Sequence, residues 1–434
     1  MPAQAGAPID SPPGAVNASS GPAASLTFPQ SDVAHSGTMA KTPSALLPAP
    51  VLAGLLALSL LAHWLAFPLI TTDMVSDNVP WLRHMVGAGR LAAFAHPFGS
   101  YTPPYLYLLS TVSLLHGAAP DPYLVKLIGV AANLALAGAL FRLARTLGLG
   151  APVQVAAAVL LLPSVVLNAA LLGQCDALWA APLVLALACA VERRHVPMLL
   201  WCGVAAAFKL QTGLVAPFFL GVALARRVPF RHWLAAPAAL AAMMLPALAL
   251  GWPLGDLLAI YPRQSTWFPD LARNAPNIWM IVGQLPGVDA PALIPLAYLV
   301  AIAAAAGYVA RLVRVPVDGR GLLLAALVAT LLMAGLLPKM HERYFFLADV
   351  LALTHAANVR TRSGWQIFML VEGGSSLAIF AYLSGIAGFA AAGGVAMIVA
   401  TWLALREFRA TNPARDIPFE DARRQFAGWR HRSL

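Results

Sequence analysis

Residues 173–227 read GQCDALWAAPLVLALACAVERRHVPMLLWCGVAAAFKLQTGLVAPFFLGVALARR. Three apolar runs in that stretch, about 176–191, 197–208 and 211–225, are separated by two kinds of gap. One gap carries Arg193 and Arg194 and another Arg226 and Arg227, whereas the gap between them holds the lone Lys209. Lys and Arg accumulate in cytoplasmic loops, so the arginine pairs read as inside and the Lys209 turn as outside. The same alternation extends in both directions. Apolar blocks fall at about 46–70, 122–141, 153–171, 233–252, 291–313, 321–337, 344–357, 364–382 and 385–405, with further basic clusters at Arg142/Arg145, Arg231, Arg311/Arg314/Arg320 and Arg360/Arg362. At about 20 residues per crossing, this predicts an all-α polytopic membrane protein of about twelve transmembrane helices, with both termini cytoplasmic.

Composition excludes the main alternatives. Of 434 residues, 60% are hydrophobic and only 11% charged, and the mean hydropathy is +0.74. A soluble domain carries about a quarter charged residues, so a globule or a large extramembrane catalytic domain is ruled out. The net charge of +10 lies in short clusters between apolar blocks and reads as topology, not nucleic-acid binding. Cys175, Cys189 and Cys202 have no metal-ligand spacing, and neither a disulfide framework nor a zinc site is expected. Residues 1–45, rich in Ala, Pro, Ser and Gly, lack the basic start and apolar core of a signal peptide and are expected to form a disordered cytoplasmic tail. From Arg406 to the end, residues 406–434, Arg409, Arg415, Arg423, Arg424, Arg430, Arg432 and Trp429 suit a cytoplasmic segment drawn to anionic lipid.

One run resists the alternation. If 103–115 crossed the membrane, every later basic cluster would move outside. It is therefore expected to be a re-entrant or interfacial helix in a first outer loop of about 71–121, and Thr102-Pro103-Pro104 suits a helix start.

Charge alternation alone then gathers a set of outer-face residues. Asp73 follows the first apolar block in TTDMVSDNVPWLRHM, with Asp77 four residues on. Either acid could be a helix cap or the one carboxylate that takes a proton from an acceptor hydroxyl; a metal shared by both would need a further acidic partner that is not adjacent. Lys209, at membrane depth in AAAFKLQTG, must reach water or a partner. It either snorkels to headgroups or holds a lipid-linked phosphate. In LLPKMHERYFF, interfacial anchoring explains Lys339 and the aromatics, but not His341-Glu342-Arg343. Arg343 can fork onto a phosphate, with His341 a donor beside it and Glu342 orienting one of them. Gln174 and Asp176 either cap the next helix or face the same site. Asn274 and Asn277, with Trp279, form a turn or bind sugar hydroxyls. Asp349 and Glu372 are acids inside apolar blocks, of the kind a proton-coupled transporter uses.

The ordered set of Asp73, Trp81, FGSYTPPYLYLL, LLGQCDALW, AFKLQTG, NAPNIW and MHERYFF resembles the integral-membrane glycosyltransferases of the C superfamily (GT-C) over about residues 46–405. It is most similar to the bacterial mannosyltransferase-like group related to the enzymes that mannosylate glycosylphosphatidylinositol and glucosylate dolichol-linked oligosaccharide. The resemblance implies transfer of a mannose-like hexose from a polyprenyl-phosphate donor to a glycan, glycolipid or protein acceptor. The reaction is an inverting single displacement at the outer face of a bacterial cytoplasmic membrane, with no cofactor and no metal required. It implies short helices in the first outer loop, Asp73 (or Asp77) as base, and Lys209, His341 and Arg343 on the donor phosphate. Trp81, Tyr101, Gln174, Asp176, Asn274, Asn277 and Glu342 are then expected around sugar and acceptor. The competing expectation is a multi-pass transporter or flippase of lipid-linked sugars, which would use Asp349 and Glu372; a noncatalytic scaffold subunit would leave the His-Glu-Arg cluster idle.

Overall fold

The computed structural model describes residues 48–266 and 269–413. Helix α1 (Ala49–Ala66) is followed by a π-helical turn at Met74–Asn78, α2 (Val79–Ala88), a 3-10 turn, α3 (Pro103–Val112) and α4 (Asp121–Thr146). Next come α5 (Pro152–Val159), α6 (Pro163–Val166) with a π-helical turn at Leu167–Leu171, α7 (Ala177–Val191) and α8 (His195–Phe208). A 3-10 segment, Leu210–Val215, leads into α9 (Ala216–Ala225), then α10 (Phe230–Trp233), α11 (Ala235–Ala249) and α12 (Leu254–Thr266). The chain continues through β1 (Ala272–Arg273), α13 (Ile278–Val282), α14 (Ile294–Arg314), α15 (Arg320–Leu336), β2 (Met340–His341), α16 (Phe346–Val359), α17 (Arg362–Ser384) and α18 (Ala387–Thr411).

This is an all-α membrane protein. Among the described residues, six helical segments are long and apolar enough to cross a bilayer: Ala49–Ala66, Asp121–Thr146, Phe230–Ala249, Pro291–Arg314, Arg362–Ser384 and Ala387–Thr411. Five shorter apolar helices accompany them, α7, α8, Leu210–Ala225, α15 and α16. At 1.5 Å per residue, helices of 14–17 residues such as α8 and α15 fall short of a hydrocarbon core of about 30 Å. Four of them, α7, α8, α15 and α16, end at loops that line one cavity, so polar chain replaces the missing turns there.

The expected block at 153–171 is not one straight helix. It bends by 53° between α5 and α6, because Pro163 supplies no N–H and its ring drives Leu162 into an extended conformation, ψ 127°. The gap between the blocks 233–252 and 291–313 contains α12 and α13, and the last helix runs on to Thr411, carrying Arg406 and Arg409 that were expected to begin the tail. Residues 1–45 and the basic residues from Arg415 onward lie outside the described residues. In the first loop, the run 103–115 is α3 plus a short 3-10 turn. Its ten α-helical residues are far too few to cross, and Tyr105, Leu106 and Leu109 pack against Leu124, Val125 and Ile128 of α4.

The basic clusters converge at one end of the bundle. Arg193 and Arg226 both pair with Asp318, at 2.7 and 3.0 Å, and Arg142 pairs with Glu192 at 3.1 Å. Arg320 donates to the Leu147 carbonyl, Arg311 to that of Asn412, and Glu407 joins His355 and Ser363. The loops that carry Asp73, Gln174, Lys209 and His341 meet at the other end. Between the two, the core is built largely from α4, α7, α15 and α16. α17 and α18 approach so closely that a Cβ on Gly393 would lie 2.7 Å from the Gly374 carbonyl, the small-residue packing that lets helices associate inside lipid.

Candidate functional site

The site is assembled from loop residues whose placement begins at the C-terminus of α1. Lys126, fully buried in α4, reaches back to donate to the carbonyls of Ala66, Phe67 and Leu69 at 3.1, 2.9 and 2.5 Å. A cation suits the unsatisfied carbonyls of a helix end. Thr71 Oγ1 adds a bond to the Leu172 carbonyl at 3.3 Å. Gly173, at φ +64°, lies so close to Met74 that a Cβ there would meet its sulfur at 2.5 Å. The turn after Leu171 is thereby pressed onto the residue that follows Asp73.

Asp73 lines a cavity of about 810 Å³. Its Oδ1 accepts a hydrogen bond from the Tyr382 hydroxyl at 3.3 Å, and neither Asp73 nor Asp176 makes the side-chain cap considered for it from sequence. Asp77 lines the same cavity and accepts from Ser76 Oγ at 2.8 Å. Both acids therefore share one chamber.

The facing wall is basic. Lys209 Nζ donates to Asp176 Oδ1 at 2.8 Å and to Gln174 Oε1 at 3.4 Å, and lies 4.8 Å from the centre of the Tyr101 ring. Lys209 does not snorkel to lipid: it is 6% exposed, and Asp176 beneath it 1%. Asp176 also accepts from Asn168 Nδ2 at 2.6 Å and Trp179 Nε1 at 3.1 Å, and sits 3.8 Å from Arg343 Nε. Arg343 is held on its other side by Glu342, while its Nε has no hydrogen-bond partner. Burial alone would raise Asp176, but Lys209 and Arg343 hold its carboxyl below the usual carboxylate range. Burial opposes the charges of Lys209 and Arg343 as well; Asp176 keeps the first, and Glu342 the second, protonated above their ordinary ranges. This wall therefore carries fixed cations across the neutral range.

His341 differs from expectation. Burial, reinforced by Arg343, Arg273 and Lys209, pushes its imidazole well below the ordinary histidine range, so at neutral pH it is an uncharged ring. It stacks on Tyr344 with ring centres 5.0 Å apart. Next to it, Arg273 and Lys339 add two more cations to the lining.

Aromatic and amide groups complete the chamber. Trp81 and Tyr101 are tilted against each other with centroids 5.5 Å apart, and the Tyr101 hydroxyl donates to Gln174 Oε1 at 2.7 Å. Burial pushes the Tyr101 hydroxyl up to about 12, against the pull of Lys209, so it stays a donor. Of the residues singled out from sequence, Asp73, Asp77, Trp81, Tyr101, Gln174, Lys209, His341, Glu342 and Arg343 line the cavity. Asp176, Asn274 and Asn277 are not in its lining. Asp176 lies behind it as the counter-ion of Lys209, and Asn277 caps α13 by accepting from Met280 N at 3.0 Å while donating to the Leu337 carbonyl at 3.3 Å. Asn274, at φ +53°, bridges to His341 and turns the chain after β1. Both asparagines thus anchor the loop of His341 instead of facing a sugar.

Several groups had no distinguishing sequence signal. Tyr382 ends an apolar block and reads as one more interfacial aromatic, and Gln211, Gln264 and Tyr298 also line the cavity. Asn168 and Lys126 did carry a signal, since polar groups inside apolar blocks need a partner. Among the described residues no three His, Cys, Asp or Glu side chains are grouped to hold a metal ion; the donor set at Lys209 and Arg343 suits an anion. No family model matches the chain, and no curated protein matches it.

Proposed function

We propose that the protein is a polyprenyl-phosphate-dependent glycosyltransferase of the C superfamily, transferring a mannose-like hexose to a glycan, glycolipid or protein acceptor. Counting the long helices, the bent pair and the shorter apolar helices as crossings gives twelve. The arginine-rich end then faces the cytoplasm with both termini, and the cavity opens at the outer face of a bacterial cytoplasmic membrane. One observation carries the reading: an accessible carboxylate, Asp73, and two buried, counter-ion-supported cations, Lys209 and Arg343, wall the same chamber.

The chemistry follows from that pairing. Asp73, oriented by Tyr382, removes the proton from an acceptor hydroxyl as its oxygen attacks the anomeric carbon. The bond from that carbon to the phosphate oxygen breaks with inversion, and the leaving polyprenyl phosphate gains negative charge. Arg343 and Lys209, both in the cavity lining, stabilise that charge in a partly dehydrated chamber. His341 contributes a neutral ring N–H and no charge. Trp81 and Tyr101 offer ring faces to a sugar, with Gln174 and Glu342 on its hydroxyls, and Phe208, Leu210 and Leu214 offer an apolar edge to the lipid tail. The reading invokes no cofactor, no metal and no nucleic acid. A transporter fits less well, because Asp349 and Glu372 are absent from the cavity lining.

The test is transfer in detergent from purified polyprenyl-phosphate hexoses to added acceptor, where a transporter has no compartments to work between. Asp73→Asn should reduce transfer by about 10²–10⁴-fold with donor binding retained, and Asp77→Asn should be milder; a reversed order moves the base to Asp77. Arg343→Lys keeps the charge, loses the fork and should weaken donor binding. No transfer from any donor, together with Glu372-dependent uptake into vesicles, would overturn the proposal.

A further inference from the structure

Two acids lie inside the bundle with no cation beside them among the described residues. Asp349 of α16 is 1% exposed and Glu372 of α17 is 7% exposed. Both oxygens of Glu372 already accept hydrogen bonds from Ser164, from its N–H at 2.7 Å and its hydroxyl at 2.9 Å. Its Oε1 satisfies an otherwise orphaned N–H where α6 restarts after the Pro163 bend. Ser375, one turn along α17 from Glu372, donates to Asp349 Oδ1 at 2.9 Å. Asp349 Oδ2 has no hydrogen-bond partner.

The charges acting on the pair come from within it. Glu372 is the acidic neighbour of Asp349, and among the described residues no Lys, Arg or His acts on either carboxyl. Of the titratable groups on the surrounding elements, Tyr382 of α17 donates to Asp73 and Arg406 of α18 lies over the Trp402 ring. His355, farther along α16, pairs with Glu407 of α18 at 3.0 Å, and Arg320, opening α15, donates to the carbonyls of Leu147 and Gly148. The half-span Pro163–Leu171 and helix α5 contain no titratable side chain.

Two ionised carboxylates buried close together without a cation are incompatible with a low dielectric, so one must be neutralised. A hard divalent cation such as Ca²⁺ or Mg²⁺ takes six or more oxygen ligands. Among the described residues no third His, Cys, Asp or Glu joins the pair, and Asp349 Oδ2 is the one oxygen of the two carboxyls without a hydrogen bond. We propose that Asp349 and Glu372 form a membrane-buried proton-binding site, with the proton resident on Asp349 Oδ2. This site is separate from the cavity and does not depend on the function proposed for it. Ser164 and Ser375, through their bonds to the two acids, join α16 and α17 to the broken half-span that carries Asn168, the partner of Asp176.

The infrared spectrum of the full-length protein in detergent tests this without any reagent having to reach the site. At neutral pH a protonated-carboxyl C=O stretch should be present, should be lost in Asp349→Asn, and should be unchanged when choline replaces sodium. Asp349→Asn should stay folded, because the amide keeps the shape and needs no proton. Treatment of the unmutated protein with dicyclohexylcarbodiimide gives the same reading without a variant. The acid O–H adds across one C=N bond of the reagent, and the product rearranges to a stable N-acylurea, so an adduct on Asp349 accompanied by loss of the band supports the site. Superimposable carboxyl bands in the unmutated protein and a folded Asp349→Asn would overturn it. So would a band suppressed by sodium, which would assign the site to a metal cation, or an adduct confined to Glu372.

Discussion

Asp176→Asn is the most informative single change, because Asp176 supports the cationic wall without lining the chamber. The substitution leaves Lys209, 6% exposed, without its ion pair at 2.8 Å; Gln174 Oε1 at 3.4 Å and the Tyr101 ring remain. Removing one partner of a buried pair costs about 3–5 kcal/mol. The amide also has one acceptor oxygen where the carboxylate has two, and three donors, Asn168 Nδ2, Trp179 Nε1 and Lys209 Nζ, compete for it. An orphaned buried donor costs about 1–3 kcal/mol, so the loss should lie near the top of the first range. Equilibrium unfolding in mixed micelles, followed by tryptophan fluorescence, measures it. Adding Lys209→Met removes the uncompensated charge and should recover more than half of the loss. The pH dependence has a fixed sign. Asp176 is depressed in the fold, so its contribution is complete above the ordinary Asp value of about 3.9 and is lost as pH falls below it; the variant should lack that acid limb. A loss below about 1 kcal/mol, typical of an exposed pair, or a double variant no better than the single one, would refute a buried, ionised pair.

Two further outcomes are expected. His341 is neutral in the fold and takes up a proton on unfolding, so stability should be complete above about pH 6.5 and should decline as pH falls below it; His341→Gln should flatten that decline, and an unchanged acid profile would mean the ring is already charged in the fold. Gly173→Ala combines a left-handed φ with a Cβ forced onto Met74, so it should destabilise the protein and reduce transfer, and Met74→Ala should partly restore both. Equal stability and activity of Gly173→Ala would show that Met74 yields without moving Asp73.

The apolar blocks, and the gathering of the basic gaps at one end, were readable from sequence because hydrocarbon imposes a length scale on helices and charged side chains avoid it. Block boundaries at 176–191, 197–208 and 364–382 fall within a few residues of α7, α8 and α17. Convergence of Arg193, Arg226 and Asp318 at one end, and of Asp73, Lys209 and Arg343 at the other, reflects the same alternation. What only tertiary structure decided was the partner of each polar group. Pro163 bends a block that composition marks as continuous, because the missing N–H matters only once a helix tries to run through it. Asp176 and Asn277 carry the same side-chain chemistry in a cavity as behind one; packing turned the first into a counter-ion and the second into a cap. The ionisation of His341 likewise depends on burial beside Arg343, Arg273 and Lys209, and desolvation by residues from distant segments leaves no trace in local sequence.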